Sequence, residues 1–142
     1  MKIKALIFIS FFTLSSLVIN AQDKMFKNLG CMCCDRWVVH MKDYGFNLEI
    51  LPRNKMDDIK HKLRVPIDIR GCHTAIVDGF IVEGHVPADL VQKIIKDRPE
   101  NIIGISVPGM PIGSPGMEGA YEEKYEVMIF DTNGNIFSYA NR

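Results

Sequence analysis

Met25-Phe26-Lys27-Asn28-Leu29-Gly30-Cys31-Met32-Cys33-Cys34-Asp35-Arg36-Trp37-Val38-Val39-His40-Met41 joins two unlike patterns through a cluster of cysteines. Residues 25–29 read as a short strand. From about residue 35 to 44 the pattern is helical, with Trp37, Val38 and Met41 on one face and Gly45 placed to cap the C-terminus. The cysteines therefore fall between a strand and the start of a helix. Unpaired N–H groups and partial positive charge at a helix N-terminus stabilise thiolates and lower their pKa. Cys31 and Cys34 also make a C-x-x-C pair, a spacing used both for thiol–disulfide exchange and for metal binding.

Further along the chain, alternation at Phe46, Leu48 and Ile50 predicts a second strand. Asn54 is placed to cap a short helix in which Met56, Ile59 and Leu63 point one way and which Pro66 ends. Residues 73–77 and 80–83 are β-rich runs on either side of Asp78-Gly79, a favoured two-residue hairpin turn. Pro87 opens a helix with Leu90, Val91, Ile94 and Ile95 on its buried face, and Pro99 ends it. The order is β-α-β-α-β-β-α. Residues 104–120 are rich in Gly and Pro and read as a long irregular loop, a type that is usually functional or disordered in compact domains. A final hairpin is predicted at 125–130 and 136–139 around Asn133-Gly134. The fold class is thus α/β (α+β).

At the N-terminus Lys2 and Lys4 precede a fifteen-residue apolar run, residues 5–19, followed by Asn20-Ala21-Gln22. This predicts a secretory signal peptide, residues 1–21, cut after Ala21. Ser10, Thr13, Ser15 and Ser16 interrupt the run, and a membrane span needs about 20 apolar residues. Residues 22–142 would then form a single exported domain with no membrane attachment. Without Lys2 and Lys4, 15 Lys and Arg stand against 17 Asp and Glu, a formal charge of −2. No basic stripe remains, and nucleic acid is not an expected partner. An oxidising compartment makes two structural disulfides the bland reading of Cys31, Cys33, Cys34 and Cys72. The spacing argues against it, because three of the four lie in four consecutive positions and a staple gains most from closing a long loop.

The strand, C-x-x-C, helix opening followed by β-α-β-β-α resembles the thioredoxin and glutaredoxin fold. Cys72-His73-Thr74-Ala75-Ile76-Val77-Asp78-Gly79 is similar to the glutaredoxin segment that runs from a cis-proline through a strand into an Asp-Gly turn. His73 falls where that proline would be. The resemblance therefore implies less capacity for disulfide exchange and more for metal. It also implies that Cys31, Cys33 and Cys34 converge with Cys72 and His73. Five such donors suit Cu(I), zinc or an iron–sulfur cluster. Adjacent cysteines favour bridging sulfurs, which suit a polynuclear Cu(I) cluster better than one tetrahedral zinc. Met110 and Met117 in the Gly/Pro loop add thioethers, which also select Cu(I), or else cover an apolar patch.

Four motifs in order carry a more specific resemblance: Cys31-x-Cys33-Cys34 with Arg36-Trp37; Cys72-His73-Thr74-Ala75; Glu83-Gly84-His85-Val86-Pro87; and Pro108-Gly109-Met110-Pro111-x-Gly113-Ser114-Pro115-Gly116-Met117. Together they resemble the CopG-type periplasmic copper-resistance family, long described as a domain of unknown function. The resemblance implies a thioredoxin-like, periplasmic protein holding more than one copper ion, Cu(I) foremost. Carried over to this chain, the ligands are Cys31, Cys33, Cys34, Cys72 and His73, with Met110, Met117 and His85 as secondary candidates. Met32 stands where many relatives have glycine. The implied role is copper resistance, handling or redox interconversion, with another periplasmic copper-handling protein as a partner. The competing readings are a thiol–disulfide oxidoreductase using Cys31 and Cys34, a copper-dependent redox enzyme, and a structural module. Of the remaining residues, His85 reads first as a surface or capping histidine, and His40 and His61 as solvent-exposed. Trp37 reads as core, and Lys60-His61-Lys62-x-Arg64 as a solvated helix face.

Overall fold

The computed structural model describes residues 22–142, and the expected signal peptide lies outside the described residues. The strands are β1 (Lys24–Asn28), β2 (Glu49–Arg53), β3 (His73–Val77), β4 (Phe80–Glu83), β5 (Ile102–Ser106), β6 (Glu126–Asp131) and β7 (Ile136–Asn141). The helices are α1 (Met32–Asp43), α2 (Asp57–Lys62) and α3 (Ala88–Asp97), with one 3₁₀ turn at Ile67–Ile69. All strands join one sheet in the order β2-β1-β3-β4-β5-β6-β7. Strand β1 is parallel to β2 and antiparallel to β3, and β4 is parallel to β5. The predicted order β-α-β-α-β-β-α holds through α3.

The central hairpin follows the sequence closely. Asp78 (φ 46°) and Gly79 (φ 84°) both adopt positive φ, as a twisted two-residue turn requires. The turn sets the register Val77↔Phe80, Ile76↔Ile81, Ala75↔Val82 and Thr74↔Glu83. Alternate residues then serve opposite faces. Ala75, Val77 and Val82 join Trp37 and Met41 of α1 and Leu90, Val91 and Ile94 of α3 in the main core. Ile81 packs with Val65, Ile69 and Phe130 in a smaller second cluster.

Several expectations are corrected. Helix α1 starts at Met32 rather than near Asp35, so Cys33 and Cys34 lie in its first turn. Lys27, buried on β1, donates to the Cys31 carbonyl at 3.1 Å and pairs with Asp35 at 2.5 Å, and this tertiary clamp overrides the weak helix propensity of cysteine. Strand β2 is shifted toward the C-terminus, because its parallel register with β1 runs from Lys24↔Glu49 to Asn28↔Arg53. Phe46 instead donates its N–H to the Met41 carbonyl and closes α1. Met56, not Asn54, occupies the α2 N-cap. Residues 104–106, read as loop, belong to β5. Gly104 hides that strand from a propensity reading, yet a Cβ there would lie 2.3 Å from the Phe130 ring. Among the described residues no helix is long and apolar enough to cross a membrane.

Candidate metal centre

The site forms where the β1–α1 turn meets the open end of the β3–β4 hairpin. Cys31 occupies the N-cap position of α1 with extended backbone angles, and Cys33 and Cys34 follow in the first turn. Cys72 and His73 stand at the start of β3, and His73 pairs across to Lys27 of β1. The four Sγ atoms of Cys31, Cys33, Cys34 and Cys72 all lie within 4.8 Å of one another. Cys72 Sγ also lies within 4.8 Å of donor nitrogens of both His73 and His85. The structure thus brings together all five residues named first from the sequence, and His85 with them.

Cys31 and Cys34 are joined in a disulfide, while Cys33 and Cys72 are free. The bridge spans a sequence separation of 3, so it closes almost no chain and adds little as a staple. It is a local dithiol pair in its oxidised form. Cys33 Sγ is 3.4 Å from Cys31 Sγ, and Cys72 Sγ is 3.5 Å from Cys34 Sγ. A two-electron reductant would convert this corner into four thiols around one point.

The imidazoles are set by their surroundings. His85 is buried, which corrects its reading as a surface or capping residue. Its Nδ1–H donates to the Pro115 carbonyl at 2.7 Å, which leaves the Nε2 lone pair facing Cys72 Sγ at 2.9 Å. A carbonyl that fixes the tautomer in this way is a common arrangement behind metal-binding histidines. Burial holds His85 below the ordinary histidine pKa, and the Pro115 contact offsets part of that. His73 is fully buried. Burial, then the neighbouring His85, hold it well below the ordinary value, so it is neutral. Its Nδ1 lies 3.4 Å from Cys72 Sγ, and its Nε2 has no hydrogen-bond partner. Trp37 covers His73 at 4.3 Å between ring centroids, so it serves both as core and as a lid over that imidazole. Burial and the adjacent Cys33 push the Cys72 thiol up to about 12.

Behind the pair Cys72-His73 lies a buried polar network that the sequence reading missed. Glu83 Oε1 accepts from the Gly71 N–H at 2.7 Å, and Oε2 accepts from the Thr74 hydroxyl at 2.6 Å. Lys60 pairs with Glu83 and donates to Thr74 at 3.0 Å. Lys60 is therefore buried, in contrast to its reading as part of a solvated face. One carboxylate grips the residues on both sides of Cys72-His73.

The Gly/Pro loop folds onto the site from the other side. Besides Pro115, the Gly116 carbonyl accepts from Arg36 Nε at 2.9 Å. Gly116 has φ 85°, and a Cβ there would lie 2.7 Å from the Cys33 carbonyl, so only glycine lets the loop approach α1 this closely. Met110 is exposed and Met117 half-buried in this loop. His40 is half-buried and hydrogen-bonded, in contrast to its expected exposure.

His85 was legible in the sequence, because a two-residue turn fixes every pair outward from it. Thr74 faces Glu83, and counting outward by the same step sets His73 against Gly84 and Cys72 against His85. The Gly84 N–H to His73 carbonyl bond, at 2.9 Å, continues the ladder that far.

Fold and site together define a mixed α/β protein with a half-buried to buried cluster of soft sulfur and imidazole donors at the mouth of its central hairpin. No curated protein matches the chain. Residues 69–117 match a protein family described as a protein of unknown function, DUF411. Two solved structures of copper resistance protein CopG, in form 2 and form 1, are each 34% identical to it with a TM-score of 0.79. The matches cover 85% of this chain and 97% and 96% of those chains. The chain belongs to the CopG family.

Proposed function

We propose that this protein is exported to the periplasm and handles copper there, holding more than one Cu(I) through Cys31, Cys33, Cys34, Cys72, His73 and His85. The observation that carries the reading is the position of Cys72, which is common to a four-thiol group and to a thiol–imidazole group. A sulfur shared between two donor groups is suited to bridge two metal ions. The donor chemistry fits, since thiolates select Cu(I) and the tautomer of His85 is fixed for ligation. His73 fits as well, since its ring is buried and neutral and its Nδ1 lies 3.4 Å from Cys72 Sγ. The CopG relatives carry copper resistance in their name, which supports the same ion.

Met110 and Met117 are proposed as accessory thioether donors near the mouth. Met32 is 73% exposed beside the cysteines, and Leu29 and Met110 are 66% and 53% exposed. Such an apolar, sulfur-bearing rim suits transfer of copper to or from another copper-handling protein. The Cys31–Cys34 disulfide favours a second reading, a thiol–disulfide oxidoreductase, and a redox step on copper would unite the two. Titration of the reduced, metal-free protein with Cu(I) and with Zn(II) tests the proposal. It predicts more than one Cu(I) per chain and displacement of any zinc. A stable one-to-one zinc complex that Cu(I) leaves untouched contradicts it.

A further inference from the structure

Helix α3 begins three residues after His85, and its first N–H is capped from another element. Pro87, the N-cap residue, makes no side-chain cap. Instead the Ala88 N–H donates to His40 Nε2 on α1 at 3.0 Å. One turn earlier on α1, Trp37 Nε1–H donates to the Val86 carbonyl at 2.9 Å. These two contacts tie residues 86–88 to α1, and His85 emerges from that tied segment toward Cys72 at 2.9 Å.

The His40 contact has a strict chemical requirement. A backbone N–H is a donor only, so His40 Nε2 must present its lone pair and His40 must be neutral. A protonated imidazole would set N–H against N–H, and its charge would face the positive end of α3.

We propose that His40 is a positioning residue for His85: its neutral imidazole holds residues 86–88 on α1, and protonation of His40 releases that segment and loosens His85 from the metal site. The inference rests on the reading of His85 as a copper ligand. The ring is reachable by solvent protons, for it lines a surface cavity of 330 Å³ with Arg36, Val39, Asp43 and Glu118. The groups that face it are Arg36, Asp43 and the ring of Tyr44 on α1, Asp89 on α3 and Glu118 in the Gly/Pro loop. The three carboxylates favour the charged form, but burial outweighs them and holds His40 below the ordinary histidine value. The contact therefore persists at neutral pH and breaks on acidification.

Glutamine separates this role from a merely structural one, since its Oε1 accepts a hydrogen bond at every pH in this range. Loss of Cu(I) to bathocuproine disulfonate is followed from pH 8 to pH 5 for the wild type, His40→Gln, His40→Ala and His85→Ala. Exchange of the Ala88 amide is followed in the metal-free wild type and His40→Gln. The Gln variant is expected to match the wild type at pH 8 and to lose copper about fivefold more slowly at pH 5, the effect of about one net hydrogen bond. The Ala88 amide loses protection at low pH in the wild type only. His40→Ala releases copper faster at both ends of the range. If His85→Ala releases copper faster but the wild type and His40→Gln share one pH profile for copper and for the amide, the positioning role is overturned. If His85→Ala retains copper as the wild type does, His85 is no ligand, and the copper part of the inference falls with that reading while the amide data still judge the His40 contact.

Discussion

Cys72 holds the junction of the site. Its sulfur faces Cys34 at 3.5 Å on one side and His85 Nε2 at 2.9 Å on the other. With its thiol pushed up to about 12, it is protonated in the metal-free protein at neutral pH, and a metal must displace that proton. Metal binding through Cys72, as proposed, would release one proton, so its contribution to affinity is expected to fall about tenfold for each unit by which pH is lowered. The buried histidines do not oppose this above their lowered values, because they are already neutral. Cys72→Ser keeps the shape but loses the soft donor. It is expected to reduce the number of Cu(I) bound and to flatten the pH dependence, both measurable by competition with a Cu(I) chelator. Unchanged stoichiometry would remove Cys72 from the ligand set. Spacing alone marked Cys31, Cys33 and Cys34 as a cluster, while the placing of Cys72 and His73 beside them came from the resemblance to the glutaredoxin segment. The sequence hid the burial of Lys60, whose neighbours His61, Lys62 and Arg64 look like solvated surface.

At the scale of elements, three pieces of chain hold the site: the β1–α1 turn, the β3–β4 hairpin and the Gly/Pro loop. The hairpin was readable because Asp78-Gly79 fixes its register. Strand β5 was not, because Gly104 answers to the Phe130 ring rather than to strand propensity. The extent of α1 was not either, because the Lys27 clamp that draws Cys33 and Cys34 into the helix is tertiary. Glu83 anchors the hairpin end through Gly71 and Thr74, with Lys60 as its buried counter-ion. Glu83→Ala leaves that ammonium buried and unpaired, and a loss of about 3–5 kcal/mol in the denaturant midpoint analysis is expected. A loss under 1 kcal/mol would mean that Lys60 reaches water easily. The loop makes a different prediction. Replacing Met110 and Met117 together with Leu nearly conserves volume, so the melting temperature is expected to hold while copper leaves faster. An unchanged copper off-rate would return both residues to packing.

The molecule as a whole keeps three of its histidines below their ordinary value of 6.5, namely His40, His73 and His85, each first by burial. Below that value the unfolded chain binds protons that the folded chain refuses. The stability associated with these groups is therefore present above about 6.5 and is lost as pH falls toward their lowered values. Metal-free protein is expected to show a falling urea midpoint between pH 7 and pH 5, and a flat midpoint would mean that the imidazoles gain protons without loss of structure. The sheet, the core and the hairpin mouth exist to bring sulfur and imidazole from separate elements to one point, and the central claim concerns what that point holds. X-ray absorption at the copper K edge on the reduced protein loaded with Cu(I) tests it most directly. The account predicts a copper environment dominated by sulfur with a nitrogen contribution, and scattering from a second copper nearby. A single isolated copper bound by nitrogen and oxygen alone would contradict it.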